Sequence, residues 1–323
     1  MKVAIYLAES FQTLGVTQVF FVPTILSHTL AEIERRTGIQ RIVTHGEKAA
    51  AYMADGYARA TGRIGVCMAQ CIGASNLAAG LRDPAMGGSP VLAITGGPYG
   101  SSRERHTYQE IDDALTFQPV TKASMYLDDV QRLPAVLRQL LREATTGSPG
   151  PVHLSVRGHF GECEQEDVRD PAPVEPPFGG VPPLRPSADE ASVRRVLEAL
   201  ARAERPVIVA GGGVRISGAA AELRALAETL SIPVATSLNA KDVLAADHPL
   251  NIGVPGLYSR KSANAALLEA DLVFFIGSRT GSQVTFRWQV PPPGTAVAQL
   301  DNNPSEIGRH YPCVAAMVAD APA

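Results

Sequence analysis

The stretch HGEKAAAYMADGYARATG (residues 45–62) decides the fold of the first half of the chain. Its apolar side chains recur at helical spacing, and most of them are alanines, which permit a close approach of a neighbouring helix. Gly62 suits the end of that helix. Glu47 stands at the junction between a preceding strand and this helix, where open α/β sheets place their ligands. The alternative interpretation is that Glu47 only favours the helix dipole.

Short apolar runs alternate with helix-length segments on both sides of this stretch. Because the runs are rich in Val and Ile and lack polar alternation, they predict buried strands of a parallel sheet covered on both faces. The predicted strands are VFFV (19–22), RIVT (41–44), IGVCMA (64–69), PVLAIT (90–95) and PVHLSV (151–156). The predicted helices are 26–37, 48–61, 74–86 and 130–145. The pattern indicates an α/β layered domain.

A change of composition follows. The segment PAPVEPPFGGVPPLRPS (171–187) holds seven prolines in seventeen residues, which excludes a helix or a central strand and predicts a semi-rigid linker. A second alternating pattern comes next, with predicted strands 206–210, 232–237, 271–277 and 296–301, a further strand around 314–318 and a helix at 218–230. We therefore expect two doubly wound parallel-sheet domains, 1–168 and a Rossmann-like 188–323, joined by a linker at 169–187.

The composition narrows the class of protein. Hydrophobic residues make up 45% and charged residues 19% of the chain, as in soluble globular proteins. A net charge of −3 gives no support for binding to nucleic acid or an anionic membrane, and no apolar run reaches the ~20 residues of a membrane span. The first residues lack the pattern of a signal peptide, so we expect a cytoplasmic protein. The four cysteines have no zinc-site spacing and predict free thiols rather than a metal site.

Several motifs together resemble one family. EKAAAYMADGYARATG (47–62), VFFVP (19–23), GASNLAAGL (73–81), YQEID (108–112) and FQPVTK (117–122) resemble the pyrimidine-binding domain of the thiamine-diphosphate enzymes related to acetolactate synthase and pyruvate decarboxylase. RPVIVAGGG (205–213), DLVFFIGSR (271–279) and LDNNPSEIG (300–308) resemble the central domain of that family. The resemblance spans nearly the whole chain in order.

The resemblance implies roles for individual residues. In that family the residue matching Glu47 hydrogen-bonds N1′ of the cofactor's aminopyrimidine and thereby favours the tautomer that removes the thiazolium C2 proton. Gln109 matches a glutamine on the substrate side of the thiazolium, although an ordinary loop amide is the alternative. The resemblance also implies cofactor contacts from segments at the sheet edge, namely Pro23, Thr24, Ile72, Gly73 and Asn76. Asn76 is equally typical of a hydrogen bonder at a helix start.

The sequence departs from the family around the expected substrate cavity. Thr24 stands where the family has glycine after Val-Pro, and Cys71-Ile72-Gly73 replaces the usual Gly-Pro-Gly. These changes leave the identity of the substrate open. Any of the three histidines His28, His45 and His106 could donate a proton near the thiazolium, although surface positions are the commoner role for such residues.

The diphosphate site of the family is not found in these residues. Its Gly-Asp-Gly signature, which with a downstream Asn holds Mg²⁺, does not occur in the sequence, and no metal ligands are assigned here. The simplest interpretation is a split enzyme in which this chain activates thiamine diphosphate and a second subunit carries the Mg²⁺ ligands. Two-fold symmetry then predicts paired copies of this chain in an α₂β₂ assembly. The resemblance implies carbon–carbon bond cleavage or formation on a 2-oxo acid.

Two other functions remain open. A catalytically silent scaffold that stabilises a partner subunit is the main alternative, and an independent nucleotide-binding oxidoreductase is another. The cluster Gly211-Gly212-Gly213 follows a strand, but Ile216 stands where the dinucleotide fingerprint requires its third glycine. Members of the family hold FAD or ADP in the central domain, or leave it empty, so a bound FAD or ADP is possible here.

Overall fold

The computed structural model of the chain describes residues 1–322 and divides into two compact units. The first is Met1–Pro183 and the second begins at Leu184. The boundary falls inside the proline-rich segment predicted as a linker. Val174 and Phe178 of that segment are buried in the core of the first unit, so its first part packs against that unit instead of forming a free spacer.

The first unit is a six-stranded parallel sheet with helices on both faces. Its strands lie in the order β2-β1-β3-β4-β6-β5. The strands are β1 Gln18–Phe21, β2 Gln40–Val43, β3 Gly65–Ala69, β4 Val91–Gly97, β5 Ser124–Leu127 and β6 Val152–Arg157. The helices are α1 Val3–Thr13, α2 Ser27–Arg36, α3 Glu47–Thr61, α4 Ala74–Gly80, α5 Arg82–Gly87, α6 Ala114–Phe117 and α7 Leu133–Thr145. The predicted doubly wound fold is confirmed, and every predicted strand of this half is present.

Three details of the first unit differ from the predictions. β2 was expected to be buried, but it pairs only with β1 at the sheet edge and its residues are largely exposed. The predicted helix 74–86 is two helices, because Pro84 lacks the amide hydrogen that would continue the hydrogen bonding past Gly80. Helix α1 and the edge strand β5 were not predicted.

The second unit repeats the architecture. Its sheet is also parallel and six-stranded, in the order β12-β11-β10-β7-β8-β9. The strands are β7 Pro206–Ala210, β8 Val234–Thr236, β9 Asn251–Gly253, β10 Leu272–Ile276, β11 Ala296–Asp301 and β12 Cys313–Val318. The helices are α8 Glu190–Arg202, α9 Gly212–Ile216, α10 Ala220–Leu230 and α11 Lys261–Glu269. The Rossmann-like prediction is confirmed, while the three-residue strand β9 was not predicted.

In each sheet the strand order reverses at the first strand of the unit, and in the first sheet it reverses again at β6, which lies between β4 and β5. In the first sheet β1 lies between β2 and β3. The chain therefore passes from β1 to β2 on one side of β1 and then crosses to β3 on its other side. Open parallel sheets bind ligands at the carboxyl ends of the strands at such a point. The loops after β1, β2 and β3 therefore mark the place to look for a site in the first unit.

All four cysteines are free thiols, of which Cys67, Cys71 and Cys163 are buried. Within residues 1–322, none of the helices is both long and apolar enough to traverse a bilayer.

Candidate active site

The first site residue is Glu47, which begins α3 at the carboxyl end of the first sheet. Gly46 before it has extended backbone and no side chain to cap the helix. The turn is held instead by Thr44, whose hydroxyl lies 3.0 Å from the carbonyl oxygen of Gly46 and 3.3 Å from that of Phe21. The Glu47 side chain is thus anchored at its base and remains half-buried rather than sealed in the core.

Gly73 and Asn76 contact the Glu47 carboxylate. A β-carbon at Gly73 would lie 2.5 Å from Oε1 of Glu47, so only glycine fits without displacing the carboxylate. Asn76 donates from Nδ2 to Oε2 of Glu47 at 3.2 Å. Three of the seven predicted site residues therefore meet in one cluster, which leaves the other carboxylate oxygen available to a ligand.

Close packing of two helices brings this cluster together. The helix α3 carries small residues toward α4, and a β-carbon at Gly80 would lie 2.7 Å from both Cβ of Ala51 and the carbonyl oxygen of Lys48. Because glycine and alanine permit this approach, the start of α4 reaches the start of α3. The alanine-rich sequence thus has a structural consequence at the site, since it sets the distance between Glu47 and Gly73.

Gln109 is linked to this cluster through Cys71. The Cys71 thiol donates to the carbonyl oxygen of Gln109 across 3.0 Å, and Cys71 opens the short 3₁₀ turn that ends at Gly73. The loop carrying Gln109 is tightly folded, because the Glu110 carboxylate accepts hydrogen bonds from the amides of Glu104 and Thr107. These bonds hold the pKa of Glu110 below its usual value.

The backbone of the Gln109 loop is unusual. Three non-glycine residues of this loop have φ values between 55° and 64°, in the left-handed region, namely Glu104, His106 and Gln109. Strained backbone of this kind is concentrated at functional sites in proteins. The side-chain oxygen Oε1 of Gln109 is buried and has no hydrogen-bond partner among the described residues.

Asp113 is a buried acid at this site that the sequence analysis did not single out. Its Oδ1 lies 3.4 Å from the hydroxyl of Ser75 on α4, and its Oδ2 is buried without a partner in the part of the chain that is described. Burial raises the pKa of Asp113 to about 6. The signal in the sequence was weak, because Asp113 follows another acid, Asp112, in a polar loop.

The remaining predicted residues lie at the same edge but outside the cluster. Ile72 is exposed beside Gly73. Pro23 and Thr24 follow β1 and are exposed, and no hydrogen bond joins them to Glu47 within residues 1–322. Their predicted roles toward a cofactor stay predictions.

The three histidines considered as proton donors occupy the commoner, surface position. His28, His45 and His106 are all exposed. His159, which was not considered, is buried just after β6, and neither ring nitrogen has a partner within the described range. Its backbone carbonyl accepts from the amide of Cys71 at 3.0 Å, so it lies beside the turn that leads to Gly73.

Unpartnered buried polar atoms test whether this edge suits a bound ligand. Within the described part of the first unit, four residues have buried side-chain polar atoms without a partner. Gln109 and Asp113 lie on the segment that follows β4, and Arg157 and His159 lie at or just after the end of β6. Buried polar groups normally find a partner, so such a concentration calls for an explanation. Together with the glycine pressed against Glu47, it fits a site that receives a polar molecule.

Comparison with known proteins supplies the family. Residues 1–116 match the family model described as "Thiamine pyrophosphate enzyme, N-terminal TPP binding domain", and residues 193–323 match the one described as "Thiamine pyrophosphate enzyme, central domain". The chain belongs to the thiamine pyrophosphate enzyme family. Thiamine pyrophosphate is another name for thiamine diphosphate, so the resemblance predicted from the sequence is confirmed. All seven predicted site residues fall within the N-terminal match.

Relatives within the thiamine pyrophosphate enzyme family share the whole arrangement of the chain. A protein described as a probable acetolactate synthase large subunit from Methanocaldococcus jannaschii is 34% identical over 322 residues, covering 99% of this chain and 54% of the relative. Glyoxylate carboligase from Escherichia coli O157:H7 is 33% identical over 316 residues, covering 96% and 52%. Acetolactate synthase from Arthrospira platensis is 30% identical over 327 residues, covering 98% and 56%. The chain thus spans about half the length of the curated relatives it matches.

The glycine cluster of the second unit has a structural explanation. A β-carbon at Gly211 would lie 2.1 Å from the carbonyl oxygen of Gly277, and one at Gly213 would lie 2.7 Å from the α-carbon of Gly277. These glycines let the loop after β7 pack against the loop after β10. The prediction of FAD or ADP at this edge is not tested by that packing and stays a prediction.

Proposed function

We propose that this chain activates thiamine diphosphate through Glu47 for carbon–carbon bond cleavage or formation on a 2-oxo acid. The single observation that carries the proposal is the cluster in which Glu47 begins α3, Gly73 packs against its carboxylate and Asn76 donates to Oε2. A carboxylate held in this way at a helix start, half-exposed at the ligand-binding edge of a parallel sheet, is placed to share a proton with a ring nitrogen of an aminopyrimidine.

The roles of the residues follow from their contacts. When bound, thiamine diphosphate supplies the nucleophilic carbon that attacks the carbonyl of the substrate. Glu47 would share a proton with the pyrimidine ring at Oε1, because Asn76 already bonds Oε2. Asn76 would fix the carboxylate rotamer, and Gly73 would let the ring approach. Gln109, on the loop that is attached to Cys71, would donate from its side-chain amide to an oxygen of the substrate.

The class of reaction is drawn from relatives. Two of the similar proteins are named acetolactate synthases and another glyoxylate carboligase. Those names describe carboligation, and we propose the same class of reaction for this chain, with a decarboxylation preceding the carboligation. The changed loop Cys71-Ile72-Gly73 and the unusual Thr24 lie at the same edge as Glu47, so we place substrate selection there.

We further propose that a second subunit supplies the diphosphate site. The Gly-Asp-Gly signature of that site does not occur in the 323 residues. Around Glu47 several large apolar side chains are exposed, among them Tyr52 and Met53 on α3 and Ile72 beside Gly73. Exposed apolar side chains next to a half-buried functional carboxylate suit a partner domain that closes over it. Paired copies of this chain with two such partners would form an α₂β₂ assembly, with Mg²⁺ bound by the partners.

The role of Glu47 is tested by Glu47→Gln in the chain reconstituted with a polypeptide that contains Gly-Asp-Gly and a downstream Asn. We expect turnover of a 2-oxo acid to fall at least about 100-fold, as for removal of one group acting in the transition state. The matched control is Glu34→Gln, the same chemical change at an exposed glutamate paired with Arg41. Equal turnover in the two variants would instead favour the silent scaffold.

The assembly is tested separately by light scattering on a size-exclusion column. The chain alone and the mixture with the Gly-Asp-Gly polypeptide are compared, with and without thiamine diphosphate and Mg²⁺. A mass corresponding to two copies of each polypeptide supports the proposal. Independent elution of the two polypeptides under all of these conditions would overturn the split arrangement while leaving the role of Glu47 to its own test.

A further inference from the structure

Asp113 occupies a position that joins two parts of the candidate site. It directly precedes α6, at the end of the loop that carries Gln109, and its carboxyl group lies against Ser75 on α4. We propose that Asp113 is a positioning residue whose neutral carboxyl group holds the Gln109 loop against the start of α4, and whose ionisation releases it. The inference rests on the proposed function only in that Gln109 is taken as the residue on the substrate side.

The geometry gives the loop two attachments to the segment between Cys71 and Ser75. One is the bond from the Cys71 thiol to the carbonyl oxygen of Gln109, at 3.0 Å. The other is the approach of Asp113 Oδ1 to the Ser75 hydroxyl, at 3.4 Å. The side chain of Asp113 is buried, with the residue only 7% exposed, so water cannot replace these contacts while the loop is in place.

The surroundings of Asp113 disfavour its charged form. The titratable groups that face it are Asp112 on its own loop and the Cys71 thiol on the opposite side, with Glu110 close to that thiol. None of the ion pairs formed by residues 1–322 includes Asp113. Desolvation is the largest effect and raises the pKa of Asp113 to about 6, although the Ser75 hydroxyl donates to the carboxylate and acts against this shift, and the charge of Asp112 adds to the increase.

The direction of the pH effect follows from this pKa. In the closed loop Asp113 titrates near pH 6, whereas in an open, solvated loop it would titrate near the ordinary value of about 3.9. The open form therefore binds fewer protons between these values, and loop opening becomes easier as pH rises from about 4 to about 6. The two pKa values differ by about two units, so the opening equilibrium changes by up to about 100-fold.

The thiol of Cys71 reports opening without any need for cofactor or partner. It is buried beneath the Gln109 loop, while Cys67 is fully buried in the central strand β3. We would measure the rate at which 4,4′-dithiodipyridine, a reagent active at acid pH, modifies each thiol, with mass spectrometry to locate the label. Cys67 is the internal control for global unfolding, and Asp113→Asn is the variant that keeps the shape and stays neutral.

The expected result is a ratio that depends on pH. The Cys71 rate in the wild type divided by that in Asp113→Asn should rise at least about 10-fold between pH 4.5 and pH 7.5, with Cys67 unchanged. Direct electrostatics acts in the opposite direction, because removing the Asp113 charge would by itself make Cys71 more reactive. A ratio that stays constant or falls with pH would overturn the proposal.

A second variant guards against a folding defect. Asp113→Leu is also neutral and suits a buried position; although it loses the contact with Ser75, its Cys71 rate relative to that of Asp113→Asn should not change with pH. If both variants leave Cys71 as reactive as in the wild type while Cys67 stays protected, the proposed closure is wrong. Because the isolated chain is used throughout, either outcome is independent of whether Glu47 activates the cofactor.

Discussion

Gly73 lies so close to Glu47 that a β-carbon on it would be 2.5 Å from the carboxylate oxygen Oε1. The two residues belong to different βα connections, the first following β3 and the second following β2. Their contact depends on the small residues between α3 and α4, and it fixes where the Glu47 carboxylate can point. Substitutions of the residues that contact the Glu47 carboxylate therefore test the site without changing the acid itself.

Gly73→Ala should displace the Glu47 carboxylate and lower turnover of the reconstituted enzyme. A misplacement of about 1 Å at a reacting group can cost about 100-fold in rate, which is the size of effect we expect. The measurement is kcat together with the Kd for thiamine diphosphate. Gly56→Ala is the control, since a β-carbon there meets nothing within 4 Å and alanine favours helix. Similar kinetics in both variants would contradict a functional role for the contact.

Asn76→Ala should weaken the orientation of Glu47 by removing the donor to Oε2. A hydrogen bond to a charged group contributes about 1.5–3 kcal/mol, and the partial exposure of Glu47 reduces this, so we expect about a 10-fold loss in kcat/KM. Asn76→Asp should be more damaging, because it places a second carboxylate beside the first. If alanine and aspartate have equal effects, Asn76 serves only the helix start.

The sequence predicted the helices and strands of this site better than the tertiary contacts between them. The alanine-rich pattern after Glu47 gave the helix and its end at Gly62, which has the left-handed backbone expected of a helix terminus. It could not give the depth at which α4 packs on α3, because that depends on Gly80 meeting Ala51 across a tertiary contact. Asp113 and His159 were missed for the same reason, since neither their burial nor their unpartnered atoms can be read from neighbours in sequence.

The strand predictions show a similar limit. Apolar runs predicted β1, β3, β4 and β6 correctly because these strands are covered on both faces. The run RIVT was also read as buried, yet β2 lies at the edge and Val43 is 60% exposed. Hydrophobicity alone cannot separate a buried strand from an edge strand whose apolar side chains are exposed. On the proposed function, the partner subunit would cover the exposed apolar side chains of β2.

His153 should make the first unit less stable in acid. Its ring is fully buried against Phe117, lies 2.8 Å from the hydroxyls of Thr95 and Ser124, and burial lowers its pKa to about 3. The unfolded chain, titrating near 6.5, binds more protons between those values, so this stability is complete above pH 6.5 and declines as pH falls. At pH 5 the loss from this group is about 2 kcal/mol.

The measurement is hydrogen exchange of the β6 amides between pH 5 and 8, corrected for intrinsic rates. His153→Gln should reduce the slope of protection against pH, whatever it does to absolute stability, and His45→Gln, at an exposed histidine, should not. Asp113 has a raised pKa and acts with the opposite sign below pH 6, so the comparison between variants is essential. An unchanged slope in His153→Gln would show that the ring already accepts a proton in the folded protein.

The second unit allows packing and nucleotide binding to be separated at one glycine. Gly213→Ala places a β-carbon 2.7 Å from the α-carbon of Gly277, and backbone on both sides leaves little room to yield, so we expect a loss of about 1–3 kcal/mol in stability without any ligand. Trp288, the one tryptophan of the sequence, lies in this unit, and its fluorescence in urea gives the measurement. Gly281→Ala is the control, because a β-carbon there meets nothing within 4 Å. If Gly213→Ala unfolds like the wild type but loses affinity for FAD or ADP, the glycines serve a nucleotide. Close packing of the two loops would instead have lowered the stability of the variant without any nucleotide.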